Sequence, residues 1–213
     1  MLSPVDVAAP YLDRIAKPAG FVLGLDFGMT RDYSALIVNE KRPYWTDDVY
    51  HAIRFAHRFK RRTKYQDVAR EVADVMARLP PRPEPPALYA DSTGVGKPVC
   101  DLLRGEGLHP YDVTITAGAH CSYNGYAISL PKSILVSTLN VALQNGMIGI
   151  AGNLPWQEQL VRELGAFRMT VTAAGHDVFN SRTEADHDDL VIALGLAVWG
   201  AARVFRTFRT VFL

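Results

Sequence analysis

Acidic side chains at the ends of apolar segments carry the first chemical signal. Asp26 closes Phe21-Val22-Leu23-Gly24-Leu25, Asp91 closes Ala87-Leu88-Tyr89-Ala90, and Asp188-Asp189 open the apolar run that begins at Leu190. Oxygen ligands without clustered Cys or His suit hard divalent ions such as Mg2+ or Mn2+. Bare carboxylates brought together would repel one another, and some would titrate above their ordinary range. Two cations would relieve that repulsion and clamp the attacking and leaving oxygens of a phosphodiester during in-line displacement. Taken singly, each aspartate is equally a helix cap or a turn residue. The chemistry needs them at one edge of one sheet.

Other constellations are weaker. Cys100 and Cys121 are the only cysteines, too few for a disulfide scaffold or a four-cysteine zinc site, and they suit a reducing compartment. His109, His120 and Cys121 lack zinc-site spacing. Gly94-Val95-Gly96-Lys97-Pro98 is no phosphate loop, because Asp91 stands where the first glycine belongs and Pro98 where a hydroxyl residue should bind Mg2+. Between His51 and Gln66 lie Arg54, Arg58, Lys60, Arg61, Arg62 and Lys64 with no acid. Such a run reads either as DNA phosphate contacts or as a solvated loop. Arg203, Arg206 and Arg209 recur at every third residue, as a basic stripe or as cations placed well for a helix C-terminus.

Periodicity outlines the elements that must position the acids. Residues 21–25 read as a central strand, 33–38 as its hairpin partner and 49–55 as a third strand. Val68, Val72, Val75, Met76 and Leu79 mark one face of a helix over 65–79, stopped by Pro80 and Pro81. The proline-rich stretch 80–86 is a stiff connector. Residues 87–116 follow as strand, loop, helix from Pro98 to Gly105, and strand 111–116, a parallel crossover unit. A helix from Pro131 ends near Asn145-Gly146, and another through Trp156, Leu160 and Leu164 ends before Gly165. Residues 167–179 alternate weakly, as a hairpin near an edge. The last helix begins at 186–189 and runs to about 204. Tyr123-Asn124-Gly125-Tyr126 reads as a loop over a DNA groove or as a surface turn.

With 213 residues, 48% hydrophobic and 21% charged, the chain has material for one generous globular domain. Lys+Arg 23 against Asp+Glu 22 leaves a net charge of +1, so nucleic-acid contact must come from local patches. The opening MLSPVDVAAP lacks the features of a signal peptide. The uncharged run 190–202 is shorter than the roughly 20 residues of a membrane span. The expected division is a lead-in over 1–19, a domain over 20–205 and a tail over 206–213.

The sequence resembles the C-terminal nuclease domain of the phage terminase large subunit, within the RNase H-like superfamily. The likeness rests on Gly24-Leu25-Asp26-Phe27-Gly28 with Asp32 and Ala35-Leu36, on Tyr89-Ala90-Asp91-Ser92-Thr93-Gly94-Val95-Gly96, and on His187-Asp188-Asp189-Leu190-Val191-Ile192-Ala193-Leu194, the most specific of the three. Pro131-Lys132 with Leu135-Val136, and Glu163-Leu164 with Phe167, resemble further stretches, so the match covers nearly all of 20–200 in order. It implies an α/β fold with a central mixed sheet of five or more strands flanked by helices, and acids holding two Mg2+ or Mn2+ ions that cut double-stranded DNA during genome packaging.

By that resemblance Asp26 looks like the first-strand ligand shared by both metals, Asp91 the fourth-strand ligand, and Asp188 or Asp189 the ligand of the C-terminal helix. Asp32 looks like an auxiliary acid. Lys132 is either near the scissile phosphate or an ordinary exposed lysine, and His187 either orients an acid or meets DNA, or is simply exposed. Arg58, Lys60, Arg61, Arg62 and Lys64 are the candidate DNA contacts. The implied partners are a packaging ATPase, the small terminase subunit and the portal, in the cytoplasm of an infected or lysogenic bacterium, with no membrane. No ATPase domain stands upstream, so the expectation is an excised domain or a stand-alone relative. Two other readings remain: a non-catalytic packaging or docking module, or a resolvase-like nuclease. Asp26-Phe27-Gly28-Met29-Thr30 also fits the D-x-G-x-T phosphate loop of sugar kinases and actin, but the chain is short for the two domains those proteins use.

Overall fold

Gly20–Asp26 forms strand β1 near the middle of an eight-stranded mixed sheet in the computed structural model of the chain, which describes residues 17–28, 32–43, 49–94, 97–173 and 188–210. The other strands are β2 (Ala35–Pro43), β3 (Val49–Arg58), β4 (Ala87–Asp91), β5 (Tyr111–Thr116), β6 (Ser122–Asn124), β7 (Ala127–Pro131) and β8 (Ile148–Ile150). Their order across the sheet is β6-β7-β5-β4-β1-β2-β3-β8. β1, β2 and β3 form an antiparallel meander, while β4 lies parallel to β1, β5 to β4 and β7 to β5. The crossover expected over 87–116 is therefore present.

Among the described residues, two helices cover one face and three the other. On the first face, α1 (Tyr65–Ala77) and α2 (Lys97–Gly105) bring Val68, Val72, Val99 and Leu103 against Phe21, Leu23, Leu25 and Leu36. On the second, α3 (Lys132–Gln144), α4 (Gln157–Ala173) and α5 (Asp189–Thr210) pack on Ala35, Ile37, Val22 and Tyr89. Buried apolar side chains of this size each contribute about 1.5–3 kcal/mol. That gain on both faces fixes the register of the central strands, because a slip of one residue would turn each of them inside out.

α5 sits unusually close to the sheet, and two glycines permit it. A Cβ on Gly24 would collide with the Ala193 carbonyl, and one on Gly200 would enter the Tyr89 ring. The small residues of Ala193-Leu194-Gly195-Leu196-Ala197 thus let the helix backbone lie on β1. Among the described residues no helix is long and apolar enough to cross a membrane.

The structure departs from expectation in several elements. α4 does not end before Gly165 but continues to Ala173, so 167–173 is helix and not part of a hairpin; 174–179 lie outside the described residues. Gly165 is exposed with open space around its Cα, so its cost is only the roughly 1 kcal/mol of glycine's poor helix propensity. Leu160 and Leu164 hold that helix in place from the other side. β3 reaches Arg58, three residues beyond the expected end, and α5 continues to Thr210. β8 has three residues, too few for a periodicity signal. Gly125-Tyr126 is the tight turn of the β6–β7 hairpin, at the end of the sheet opposite Asp26.

Candidate metal centre and nucleic-acid interface

One row of backbone positions crosses the sheet where β1 and β4 end. Asp91 of β4 pairs with Asp26 of β1, Asp26 with Ala35 of β2, and Ala35 with Arg58 of β3. Side chains alternate along a strand. With Leu23, Leu25, Leu88 and Ala90 on the α1–α2 face, Asp26 and Asp91 project on the other, toward α5. The two carboxylates are thus neighbours on one face, with Ala35 leaving room beside them. The N-terminus of α5 brings Asp188 and Asp189 to the same place.

The electrostatics follow from that crowding. Burial first, and then the charges of Asp91, Asp189, Asp188 and Asp32, push the Asp26 carboxyl well above its ordinary range. Burial also raises Asp91, against hydrogen bonds from Thr93 and the nearby Lys132 ammonium, which favour its charged form. The Thr93 amide donates to Asp91 Oδ1 at 2.7 Å, and the Ile115 amide donates to Thr93 Oγ1 at 2.7 Å, tying this carboxylate to β5. Among the described residues the Asp26 and Asp188 side chains have no hydrogen-bonding or ion-pair partner.

An all-oxygen set that suffers from its own charge fits a hard divalent cation by type and by sign. Among the described residues, however, no three His, Cys, Asp or Glu side chains stand gathered around one cation position. The residues therefore fit Mg2+ or Mn2+ by chemistry, while the ligand shell is open.

The remaining candidates divide. Asp32 is exposed, and its charge is felt at Asp26. Lys132 begins α3 directly after β7 and lies close enough to Asp91 to stabilise its charge. His187, Met29 and Thr30 lie outside the described residues, as do the side chains of Arg206 and Arg209. Lys60, Arg61, Arg62 and Lys64 are exposed. They sit around a tight turn in which Thr63 bonds Lys60 through both amide and hydroxyl and Arg62 takes a φ of 65°.

Arg58 departs from the expected phosphate contact. Its side chain is 6% exposed; Nη2 donates to Asp189 Oδ2 at 2.8 Å, and Nη1 lies 3.6 Å from Glu163 Oε1. The guanidinium lies 3.8 Å from the centroid of the Tyr33 ring, with Arg61 at 4.6 Å from the same ring. Its charge is committed inside the protein.

Glu163 is the site residue that sequence reasoning left without a role. It is buried on α4, accepts from the Leu190 amide at 3.1 Å and from Gln159 Nε2 at 2.9 Å, and so satisfies an orphan donor at the N-terminus of α5. Burial, the leading cause, raises its carboxyl pKa. A glutamate between Leu160 and Leu164 on an otherwise core-facing helix stripe was the available signal.

The chain aligns over 86% of its length with the crystal structure of the large terminase nuclease from thermophilic phage G20c, at 20% identity and a TM-score of 0.54 over 85% of that chain. It aligns over 92% of its length with the human cytomegalovirus terminase nuclease domain, Mn soaked and inhibitor bound, at 14% identity and a TM-score of 0.57 over 88% of that chain. At such identities the likeness is one of fold. No curated protein sequence matches the chain. Residues 23–199 match the family described as the terminase RNaseH-like domain, a span running from β1 into α5 that includes all four aspartates. The chain belongs to the terminase RNaseH-like domain family.

Proposed function

We propose that the chain is a metal-dependent DNA endonuclease that hydrolyses phosphodiester bonds by a two-metal mechanism, as in cleavage of concatemeric phage DNA during packaging. The observation that carries this reading is the pairing of Asp26 with Asp91 across β1 and β4 under the acidic N-terminus of α5. Family membership and the terminase nucleases named among its structural neighbours support it.

Asp26, Asp91 and the Asp188-Asp189 pair would hold Mg2+ or Mn2+. When bound, such ions supply Lewis-acid activation of water and neutralise charge developing at phosphorus. The protein's own groups do the rest. Thr93 keeps one oxygen of Asp91 fixed by its amide. Lys132 offers a cation beside Asp91, where a phosphate oxygen would gain negative charge. Lys60, Arg61, Arg62 and Lys64 provide sequence-independent contacts to the DNA backbone. Double-stranded DNA is the substrate, a packaging ATPase, small subunit and portal are the partners, and the host cytoplasm is the setting.

Replacing Asp26 by Asn tests the reading in a Mn2+-dependent plasmid assay. The parent should nick and linearise supercoiled DNA, and the variant should lose at least about 100-fold in rate with its circular dichroism spectrum intact. Equal cleavage by both would remove Asp26 from the reaction. One rival is a docking module that keeps the fold and some of the acids. That rival predicts DNA binding with no metal-dependent nicking.

A further inference from the structure

We propose that Arg58 is a positioning residue of the metal centre: with Glu163 it fixes the first turn of α5 so that Asp189, rather than Asp188, is the helix carboxylate presented beside Asp26. This deepens the nuclease reading and rests on it.

The argument begins with the row across the sheet. Arg58 stands in register with Ala35, and Ala35 with Asp26, so the guanidinium approaches α5 from the strand two away from Asp26 and on the same face. It binds Asp189 through one oxygen, Oδ2. Its second terminal nitrogen faces Glu163 Oε1, whose partner oxygen Oε2 takes the Leu190 amide. A single fork therefore ties together β3, α4 and the first two residues of α5.

Rotation of that helix end is what selects between adjacent aspartates, because neighbouring residues point about 100° apart on a helix. With Leu190 capped by Glu163 and Asp189 held by Arg58, Asp189 is 5% exposed and lies inward, while Asp188 is partly exposed at the helix edge. The Tyr33 ring against the guanidinium limits access of water to the fork. Carboxylates that bind metals are commonly held by such an outer hydrogen bond, and loss of the outer partner lowers metal affinity or activity by about 10–100-fold. Lysine cannot substitute fully, since an ammonium is a point charge and not a planar fork.

The test combines Mn2+ binding isotherms with steady-state kinetics on plasmid DNA, using Arg58→Gln, Arg58→Lys, Asp188→Asn and Asp189→Asn in the full chain. Arg58→Gln should raise the Mn2+ dissociation constant and lower kcat by about tenfold or more, with KM for DNA within about twofold of the parent. Arg58→Lys should recover part of both losses, and it serves as the decisive variant if the glutamine form does not fold. Asp189→Asn should weaken Mn2+ binding at least about tenfold more than Asp188→Asn.

An unchanged isotherm at temperatures well below the melting point of the Arg58 variant would overturn the proposal, leaving Arg58 purely structural. A raised KM with kcat unchanged would overturn it too, returning Arg58 to the phosphate contacts, as would a larger loss at Asp188 than at Asp189. A parent that binds Mn2+ but cuts no DNA would sink the nuclease reading alone, with Arg58 still judged by the isotherms. A parent that binds no Mn2+ at millimolar concentration overturns both.

Discussion

At Asp26, burial and four neighbouring carboxylates act in one direction, each favouring the neutral acid. A carboxyl whose pKa is raised on folding weakens the folded state at any pH above its ordinary value, because the unfolded chain ionises it more easily. Removing that charge should therefore stabilise the metal-free protein even as it removes a proposed metal ligand. Asp26→Asn is expected to raise the metal-free Tm by about 2–4 °C, the shift that roughly 1 kcal/mol gives in a chain of this size. It should also abolish the rise in Tm expected of the parent in millimolar Mn2+. Differential scanning calorimetry reads both, and a fall in the metal-free Tm would show that Asp26 is an ordinary structural acid. The sequence made Asp26 and Asp91 legible because each closes an apolar strand. It left Arg58 misread, since a basic run looks the same whether one member turns inward or all face solvent, and only the pairing of β3 with β2 decides which.

The element that assembles the site is α5. Its backbone reaches β1 only because Gly24 has no side chain to meet the Ala193 carbonyl, and it is held there by Leu190, Leu194 and Val198. Gly24→Val should cost at least about 3 kcal/mol, the upper range for forcing extra carbon into a packed interface. In urea unfolding the midpoint should fall with little change in slope. A midpoint within error of the parent would mean that α5 does not depend on this close approach. The same helix shows where sequence reading succeeds and fails. Its apolar stretch and acidic start placed it within a few residues, because burial on nearly every side leaves a long unbroken signal. α4 was cut short at Gly165 because a glycine reads as a stop, although at an exposed position it is a tolerable helix residue. β8 left no signal, since three residues recruited by β3 are a product of tertiary packing.

Among the described residues, buried charged side chains gather toward the two ends of the sheet. At the end away from Asp26, the buried Glu40 accepts from Arg42, Arg54 and Arg82, at 2.6–3.0 Å, while Lys41 pairs with Glu84. Burial alone would raise the Glu40 carboxyl, but the hydrogen bonds from Arg82, Arg42 and Arg54 outweigh it and bring it from 4.5 to about 2. Its stabilising effect is complete above 4.5 and is lost as pH falls toward 2. His51, whose Nδ1 accepts from Asn39 Nδ2 at 2.9 Å in the core, is lowered by burial from 6.5 to about 4. Keeping it neutral costs nothing above 6.5, and stability drains as pH falls from 6.5 toward 4 because only the unfolded chain takes the proton readily. Acid unfolding should thus proceed in two overlapping windows. Glu40→Gln should lower stability at pH 7 by about 1–3 kcal/mol and flatten the dependence below 4.5, leaving the upper window in place. A parallel pH profile for variant and parent would rule out Glu40 as the source. The parallel crossover over 87–116 was legible from its strand and helix pattern, and the fold class from the family resemblance, whereas this second charged cluster was not, because it joins β2, β3 and the proline-rich connector, which are distant in sequence. The central claim concerns the other end of the sheet, and a crystal of the chain soaked in Mn2+ tests it most directly by anomalous scattering. Two anomalous peaks among Asp26, Asp91 and the first turn of α5 are the predicted result; a map with no peak there, or with peaks only at surface acids elsewhere, would contradict it.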